Sequence, residues 1–226
     1  MLKSIETYRK DKLLAFIIIY GVFYVLGFFW LENRDVPIHI ISSKLDAIIP
    51  FCEYFIVPYY LWFVYVAFTI IYFIFVCKEQ MERRRFVFSF CIGMTVFLVV
   101  SYLYPNGHNL RPKLNGDSIF IQGVRLLHWI DTPTNVLPSM HVFVTVVCSV
   151  ALLRQKTLRG RKWFVVAVWI CSILIILSTM FLKQHSVVDI ACALILNIAC
   201  YVLIYRVARG SSWKNVKYMR KRVIHN

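Results

Sequence analysis

Long apolar runs dominate the chain, and short polar segments separate them. The six runs lie at about 13–31, 51–77, 86–104, 137–153, 163–182 and 187–207. A helix needs roughly 17 to 25 apolar residues to cross the hydrocarbon core of a bilayer, and each run is near or above this length. The run at 137–153 is the weakest by length, and it opens with Pro138, a residue that suits the first turn of a helix. The pattern predicts an all-α, polytopic membrane protein with six transmembrane helices.

The remaining segments add no second domain. The stretch 36–50 mixes apolar and polar residues between Pro37 and Pro50, and we expect a short interfacial helix there. Lys10 and Lys12 precede the first run, but no small-residue cleavage site follows it, so this run is expected to be a retained span. With no internal repeat or linker rich in Gly or Ser, the prediction is one membrane domain over residues 1–226 with a basic cytoplasmic tail at 208–226.

Composition excludes an ordinary soluble domain. Hydrophobic residues make up 60% of the chain and charged residues 16%, and this balance is too apolar for a single soluble core of this size. The seven cysteines all fall in apolar stretches and form no Cys-x-x-Cys pair. We therefore expect buried thiols and neither a disulfide framework nor a zinc ribbon.

The distribution of positive charge predicts the orientation. Twenty Lys and Arg residues lie in the N-terminal segment, 78–85, 154–162 and 206–226, against six in the segments between them. Because positive residues stay on the cytoplasmic side, both termini are predicted to be cytoplasmic and the longer loops to face outward. No nucleic-acid motif accompanies the net charge of +15, so the expected partners are anionic lipid headgroups and not nucleic acid. The tail has the densest group: Lys214, Lys217, Arg220, Lys221 and Arg222.

Polar residues at the outer ends of the runs are the candidates for chemistry. His141 lies in the first turn of the fourth predicted span and His185 at the start of the sixth, and both helices would run from outside to inside. A helix N-terminus offers free backbone N–H groups and a partial positive charge. Two such ends converging with Arg111 and Lys183 would form a site for a phosphate group.

His185 and Asp189 are four residues apart, a spacing that places both on one face of a helix. A carboxylate there can accept the imidazole N–H, fix the tautomer and leave the other ring nitrogen free as a nucleophile. The alternative is that the two side chains pair only to anchor the end of the helix. The spacing alone leaves both interpretations open.

Three segments together resemble the type 2 phosphatidic acid phosphatase superfamily, whose motifs are Lys-x6-Arg-Pro, Pro-Ser-Gly-His and Ser-Arg-x5-His-x3-Asp. The matching residues are Arg111-Pro112, then Pro138-Ser139-x-His141, and finally Ser178 with His185 and Asp189 at the same spacing. The resemblance covers about residues 50–207. It implies a six-span core with the site at the outer ends of the fourth and sixth helices.

This resemblance also implies a mechanism. His185 would attack phosphorus to form a phosphohistidine, Asp189 would orient its imidazole, and His141 would protonate the leaving alkoxide and then activate water or an alcohol. The residues implied to hold the substrate phosphate are Arg111, Ser139, Lys183 and Ser178. No metal or other cofactor is required.

The sequence departs from the family motifs at three positions. Tyr104 stands where the first motif has Lys, Met140 where the second has Gly, and Thr179 where the third has Arg. Two phosphate-binding cations are thus missing, and a phosphate dianion needs compensating charge. The available substitutes are Lys183, Lys113 and Arg125.

Three functions follow as hypotheses. The first is hydrolysis of a lipid phosphate or diphosphate, of the phosphatidic acid or polyprenyl diphosphate type, at the outer face of what we expect to be a bacterial plasma membrane. The second is transfer of a phosphoalcohol group to a lipid or polyol hydroxyl, because Met140 is similar to the branch that includes inositol phosphorylceramide synthases. The third is a transporter or structural membrane protein in which the polar residues are incidental.

A metal site is the rival interpretation of the same histidines. His141, His185 and Asp189 would need a further ligand from His108, His128 or Asp131, and the chain has no His-Glu-x-x-His pattern. We expect His39, His108 and His128 to be solvated or to face headgroups in outer loops.

Overall fold

The computed structural model describes the backbone of residues 2–207 and the side chains of residues 12–206. Nine α-helices lie within this part of the chain: α1 Leu2–Glu32, α2 Lys44–Ile48, α3 Ile56–Ile71, α4 Gln80–Leu103, α5 Ile119–Ile130, α6 Met140–Arg154, α7 Lys156–Arg159, α8 Lys162–Phe181 and α9 Val187–Tyr201. A 3-10 turn, Glu53–Phe55, precedes α3, and π-helical turns, Tyr72–Val76 and Val202–Val207, follow α3 and α9. The predicted lipid-binding tail at 208–226 lies outside the described residues.

The protein is a helical membrane protein, with five helices in the described region that are long and apolar enough to cross a bilayer. They are Lys12–Glu32, Glu53–Val76, Gln80–Leu103, Lys162–Phe181 and Val187–Arg206. The predicted span at 137–153 differs, because Met140–Arg154 has only 15 residues. Pro138 and Ser139 lie outside this helix, and Ser139 caps it by accepting a hydrogen bond from the Val142 backbone N–H.

The short helix α6 lies at the centre of the bundle and packs against α3, α4, α8 and α9. Its buried apolar side chains are Val142, Phe143, Val144, Val147, Cys148, Ala151 and Leu152. A helix that is apolar on all sides is typical of such a central position. Gly93 allows α4 and α6 to approach each other closely, since a Cβ added at Gly93 would lie 1.9 Å from Cε1 of Phe143. All seven cysteines are free and buried or partly buried.

The predicted interfacial helix at 36–50 is mostly not helical. Only α2 forms there, while His39–Ile40 makes a short strand, β1, that pairs in parallel with β2, Asn106–Gly107. The side-chain Oδ1 of Asn106 accepts hydrogen bonds from the backbone N–H groups of Val136 and Leu137, both at 2.9 Å. Asn106 thereby fixes the segment that leads into α6.

The first helix borders the bundle and contacts it through α4. The Tyr20 hydroxyl donates to the backbone carbonyl of Cys91 at 2.7 Å, within the apolar part of both helices. At the other end of α1, the Glu32 carboxylate accepts hydrogen bonds from the Asn135 side chain at 2.5 Å and from the hydroxyls of Thr132 and Thr134. This polar cluster ties the end of α1 to the loop before α6.

Candidate active site

The structure brings His141 and His185 into direct contact. Nδ1 of His141 lies 3.4 Å from Nε2 of His185. The contact forms because α6 and α9 begin side by side, with the backbone N–H of Ser139 donating to the carbonyl of Asp189 at 3.2 Å. Two residues that are 44 positions apart in the chain therefore face each other at the starts of two helices.

Asp189 lies behind His185, on the side away from His141. Nδ1 of His185 is 3.5 Å from Oδ2 of Asp189, and the same oxygen accepts the Ser186 backbone N–H at 2.8 Å. The carboxylate is completely buried, and its Oδ1 has no hydrogen-bond partner among the described residues. A buried carboxylate favours the tautomer with hydrogen on Nδ1, which leaves Nε2 as a lone-pair donor. Catalytic hydrogen bonds are often this long in the absence of substrate.

Two aromatic rings hold His141 in place. The rings of Tyr59 and Trp62, both from α3, have centroids 4.7 and 4.5 Å from that of His141. The Tyr59 hydroxyl also donates to Oδ2 of Asp131 at 2.7 Å. Neither Tyr59 nor Trp62 was predicted to support the site, because nothing in an apolar run distinguishes an aromatic residue that supports a site from one that faces lipid.

Arg111 is close to the pair, but protein acceptors occupy most of its guanidinium. Nη1 donates to the carbonyl of His128 at 3.2 Å, while Nη2 donates to the carbonyl of Asp131 and to Oε1 of Gln184, at 2.5 and 2.6 Å. Nε has no partner among the described residues. Burial lowers the pKa of the Arg111 guanidinium below its ordinary value. Arg111 thus joins the end of α5 to the residue before His185.

Lys183, which was predicted to bind phosphate, makes its observed contacts within the protein. Its ammonium donates to the backbone carbonyls of Asp46 and Ile49, at the end of α2. The backbone of Lys183 is in the left-handed region, with φ 57°, and this conformation directs the turn between α8 and α9 toward α2. Lys183 holds α2 against this turn.

The N-terminus of α9 was predicted to bind phosphate, and the structure places a carboxylate there. Oδ1 of Asp46 accepts the backbone N–H of Val187 at 2.8 Å, and Oδ2 accepts the hydroxyl of Ser186 at 2.6 Å. Asp189 and the Ser186 hydroxyl satisfy the N–H groups of Ser186 and Val188. The first turn of α9 is therefore capped from within the protein.

The two serines predicted to bind phosphate are also directed elsewhere. Ser139 is completely buried as the cap of α6, and the Ser178 hydroxyl donates to the carbonyl of Ile175 at 2.6 Å inside α8. Of the possible substitute cations, Arg125 pairs with Asp117 at 2.9 Å on the surface. Lys113 is exposed.

His108 is buried, in contrast to its predicted solvated role. It is 4% exposed, and its Nδ1 accepts the backbone N–H of Leu110 at 3.2 Å. Burial, reinforced by the nearby His185 and Arg111, lowers the pKa of His108 to about 4. Burial and Arg111 likewise lower the pKa of His128 to about 4. Both imidazoles are neutral at pH 7, so neither replaces a missing cation, and only His39 of the three is exposed.

The motif departures at Tyr104 and Thr179 have structural roles of their own. The Tyr104 ring stacks on His39 with centroids 4.3 Å apart. The carbonyl of Thr179 accepts the backbone N–H groups of Gln184 and His185, at 3.0 and 3.1 Å. Thr179 thereby closes the turn that presents His185.

A cavity of about 570 Å³ opens beside the histidine pair. The walls are rich in aromatic rings, contributed by Tyr24, Phe28, Tyr59, Tyr60, Trp62, Phe63 and Phe97. Polar groups lie at one end, where His141, His185, Asp131 and Gln184 meet. Tyr24 and Phe28 of α1 and Phe63 of α3 line the cavity, and Phe63 is half exposed on the flank of α3.

A protein-family model described as the PAP2 superfamily matches residues 114–203. The match supports membership of the PAP2 superfamily for this part of the chain. The PAP2 match includes His141, His185 and Asp189, whereas Arg111 lies just before it. Membership of the PAP2 superfamily indicates phosphatase-type activity on a phosphate substrate. A comparison with curated proteins finds no match.

Proposed function

We propose that the protein hydrolyses a lipid phosphate or lipid diphosphate through a phosphohistidine formed on His185. The observation that carries this proposal is the row His141, His185, Asp189, with contacts of 3.4 and 3.5 Å, at the polar end of an aromatic cavity. In this row His141 is the proton donor, His185 is the nucleophile and Asp189 is the group that orients the nucleophile.

The chemistry divides into two displacements at phosphorus. Nε2 of His185 attacks phosphorus, the bond from phosphorus to the leaving oxygen breaks, and His141 transfers its proton to that oxygen. His141 then removes a proton from water, whose oxygen attacks the phosphohistidine and releases inorganic phosphate. Asp189 stabilises the positive charge on the His185 imidazole in both steps.

The shape of the cavity supports a membrane lipid as the substrate. A lipid chain fits the aromatic walls, which include rings of α1 and α3, while its phosphate reaches the histidines at the polar end. The Lys and Arg residues of 78–85 and 154–162 lie at the other end of the bundle, and with the basic residues near both ends of the sequence they support a site on the outer face with both termini cytoplasmic. Phosphatidic acid and polyprenyl diphosphate both meet these requirements, in a bacterial plasma membrane.

A phosphotransferase is the second candidate, and it is supported by the protein contacts that Arg111 and Lys183 already make. Protein carbonyls and Gln184 occupy the two Nη atoms of Arg111, and α2 occupies Lys183. A site with this little free positive charge suits a phosphodiester monoanion better than a phosphomonoester dianion. An alcohol would then replace water in the second step, and a new phospholipid would form instead of inorganic phosphate.

The deciding experiment measures phosphate release by the purified protein with a strong chelator present. The substrates are phosphatidic acid, polyprenyl diphosphate and a lysolipid phosphate, and His185→Ala is compared with His39→Ala, an exposed histidine. We expect release that persists in chelator and in His39→Ala but disappears in His185→Ala. Equal release by a folded His185→Ala protein would remove His185 from the nucleophilic role. A labelled phospholipid product without phosphate release would establish the second candidate.

A further inference from the structure

Arg83 is a buried arginine near the start of α4, at the end of the bundle opposite the histidine pair. It is 3% exposed, although it lies within a helix long and apolar enough to span a membrane. Among the described residues, its Nε and Nη1 have no hydrogen-bond partner. Leaving a buried guanidinium unpaired is costly, so an acceptor from beyond the described residues is expected.

The nearest acidic residue in sequence does not supply this acceptor. The Glu82 carboxylate is bound by Arg85 at 2.6 Å and by Arg154 at 3.1 Å. Both arginines also lie over the ring of Tyr205, at 5.4 and 4.6 Å from its centroid. This closed cluster neutralises Glu82 without Arg83.

A second cavity, of about 350 Å³, lies between α1, α3 and α4 on the face of α4 that carries Arg83. Phe86, Val87 and Phe90 line it, and these residues follow Arg83 by three, four and seven positions. Such spacing places all four on one side of the helix, with Arg83 one turn beyond the end of the cavity. The other walls are almost entirely apolar and include Ile17, Ile70 and Ile74.

We infer that Arg83 and this cavity form a binding site for one anionic phospholipid. The lipid phosphate accepts hydrogen bonds from the Arg83 guanidinium, and an acyl chain occupies the cavity. Three exposed charged residues, Lys78, Glu79 and Arg84, lie near Arg83 in the sequence, and their net charge is positive. This balance favours an anionic lipid over a zwitterionic one. The phosphate-binding end of the site is distant from the histidine pair, because the 24 residues of α4 separate its two ends by roughly 36 Å. Within the described part of the chain, only Tyr24 lines both this cavity and the one beside the histidines.

The test measures lipid retention by native mass spectrometry of the full chain in detergent. The probes are phosphatidylglycerol, phosphatidylcholine with the same chains, and inorganic phosphate. Arg83→Gln removes the phosphate ligand, and exposed Arg84→Gln is the matched control. Gly21→Leu fills the cavity and leaves Arg83 intact, since no atom lies within 4 Å of a Cβ added at Gly21.

The wild-type protein is expected to retain phosphatidylglycerol in preference to phosphatidylcholine, with affinity at least about tenfold lower in Arg83→Gln and unchanged in Arg84→Gln. Gly21→Leu should also lose the lipid.

Equal retention of both lipids, or equal losses in the two arginine variants, would overturn the inference. Competition by inorganic phosphate with no effect of Gly21→Leu would mean a free-phosphate site and no lipid site. If Arg83→Gln does not fold, the wild-type comparison and Gly21→Leu decide. None of these readouts depends on catalysis.

Discussion

Nδ1 of His141 and Nε2 of His185 are 3.4 Å apart. This distance is too short for a phosphoryl group to react between the two nitrogen atoms. A phosphoryl group has to enter this space, so the two rings must separate when substrate binds. The rings of Tyr59 and Trp62 restrain His141, whereas His185 lies in a turn. The movement is therefore expected at His185 and its turn.

Replacing Asp189 by Asn should separate its effect on His185 from its effect on stability. The amide oxygen of Asn can still accept the Ser186 N–H, which Asp189 now accepts at 2.8 Å. Loss of the charge removes stabilisation of the His185 imidazolium, and we expect kcat to fall about a hundredfold or more. Thermal unfolding and turnover measured on one preparation test this. A large loss of stability with unchanged kcat in the folded fraction would show that Asp189 only anchors the helix.

Lys183→Met should destabilise the protein because it releases α2. Hydrogen bonds from a charged donor to carbonyls contribute about 1.5–3 kcal/mol, so the free energy of unfolding should fall by about 2 kcal/mol. Lys113→Met, at an exposed position of the same outer region, should change it by less than about 0.5 kcal/mol. Equilibrium unfolding in detergent provides the comparison. An increase in KM without loss of stability would instead return Lys183 to phosphate binding.

Acid should destabilise the protein partly through His108. Its folded-state pKa is about 4 against an ordinary value of 6.5. Between these values the unfolded chain binds a proton that the folded protein does not, so stability falls as the pH drops from about 6.5 to 4. His108→Gln should make the melting temperature depend less steeply on pH in this window. The exposed His39→Gln variant should keep the wild-type slope, and equal slopes in all three proteins would contradict the prediction.

Gly93→Ala should disturb the contact between α4 and α6. The added methyl group would overlap the Phe143 ring, which is completely buried and has no free space to move into. Overpacking of this kind costs about 1–3 kcal/mol. Gly21→Ala, in an open part of α1, should have no destabilising effect. Melting temperatures of the two variants, measured in the same detergent, should differ clearly, and equal values would argue against a tight contact.

Helical periodicity and chain order predicted the parts of the site that depend on local spacing. His185 and Asp189 had to share a face because they are four residues apart. Two helices that start at the same membrane face could also be expected to bring His141 toward His185. Both inferences need only the spans and their directions.

The sequence could not predict the parts that depend on distant contacts. Asp46 binds the start of α9 across 141 positions, and no pattern of apolar residues indicates this pairing. Lys183 was predicted to bind phosphate because it precedes His185 by two residues, and its position in the sequence does not indicate the hydrogen bonds that it donates to the carbonyls of Asp46 and Ile49. The sequence also does not indicate that α6 is short, because an apolar run does not show at which residue the cap lies and the helix begins.

The hydrogen bonds between α2 and the turn after α8 also constrain how the protein is made. Asp46 and Lys183 are 137 positions apart, and most of the membrane helices are synthesised between them. The Asp46 carboxylate accepts the nearby Ser43 N–H, but it has to remain partly hydrated at the membrane surface until the turn emerges, because Ser186 and Val187 are not yet synthesised. The row of His141, His185 and Asp189 is therefore assembled late in biogenesis, and a chain truncated before α9 would be inserted but inactive.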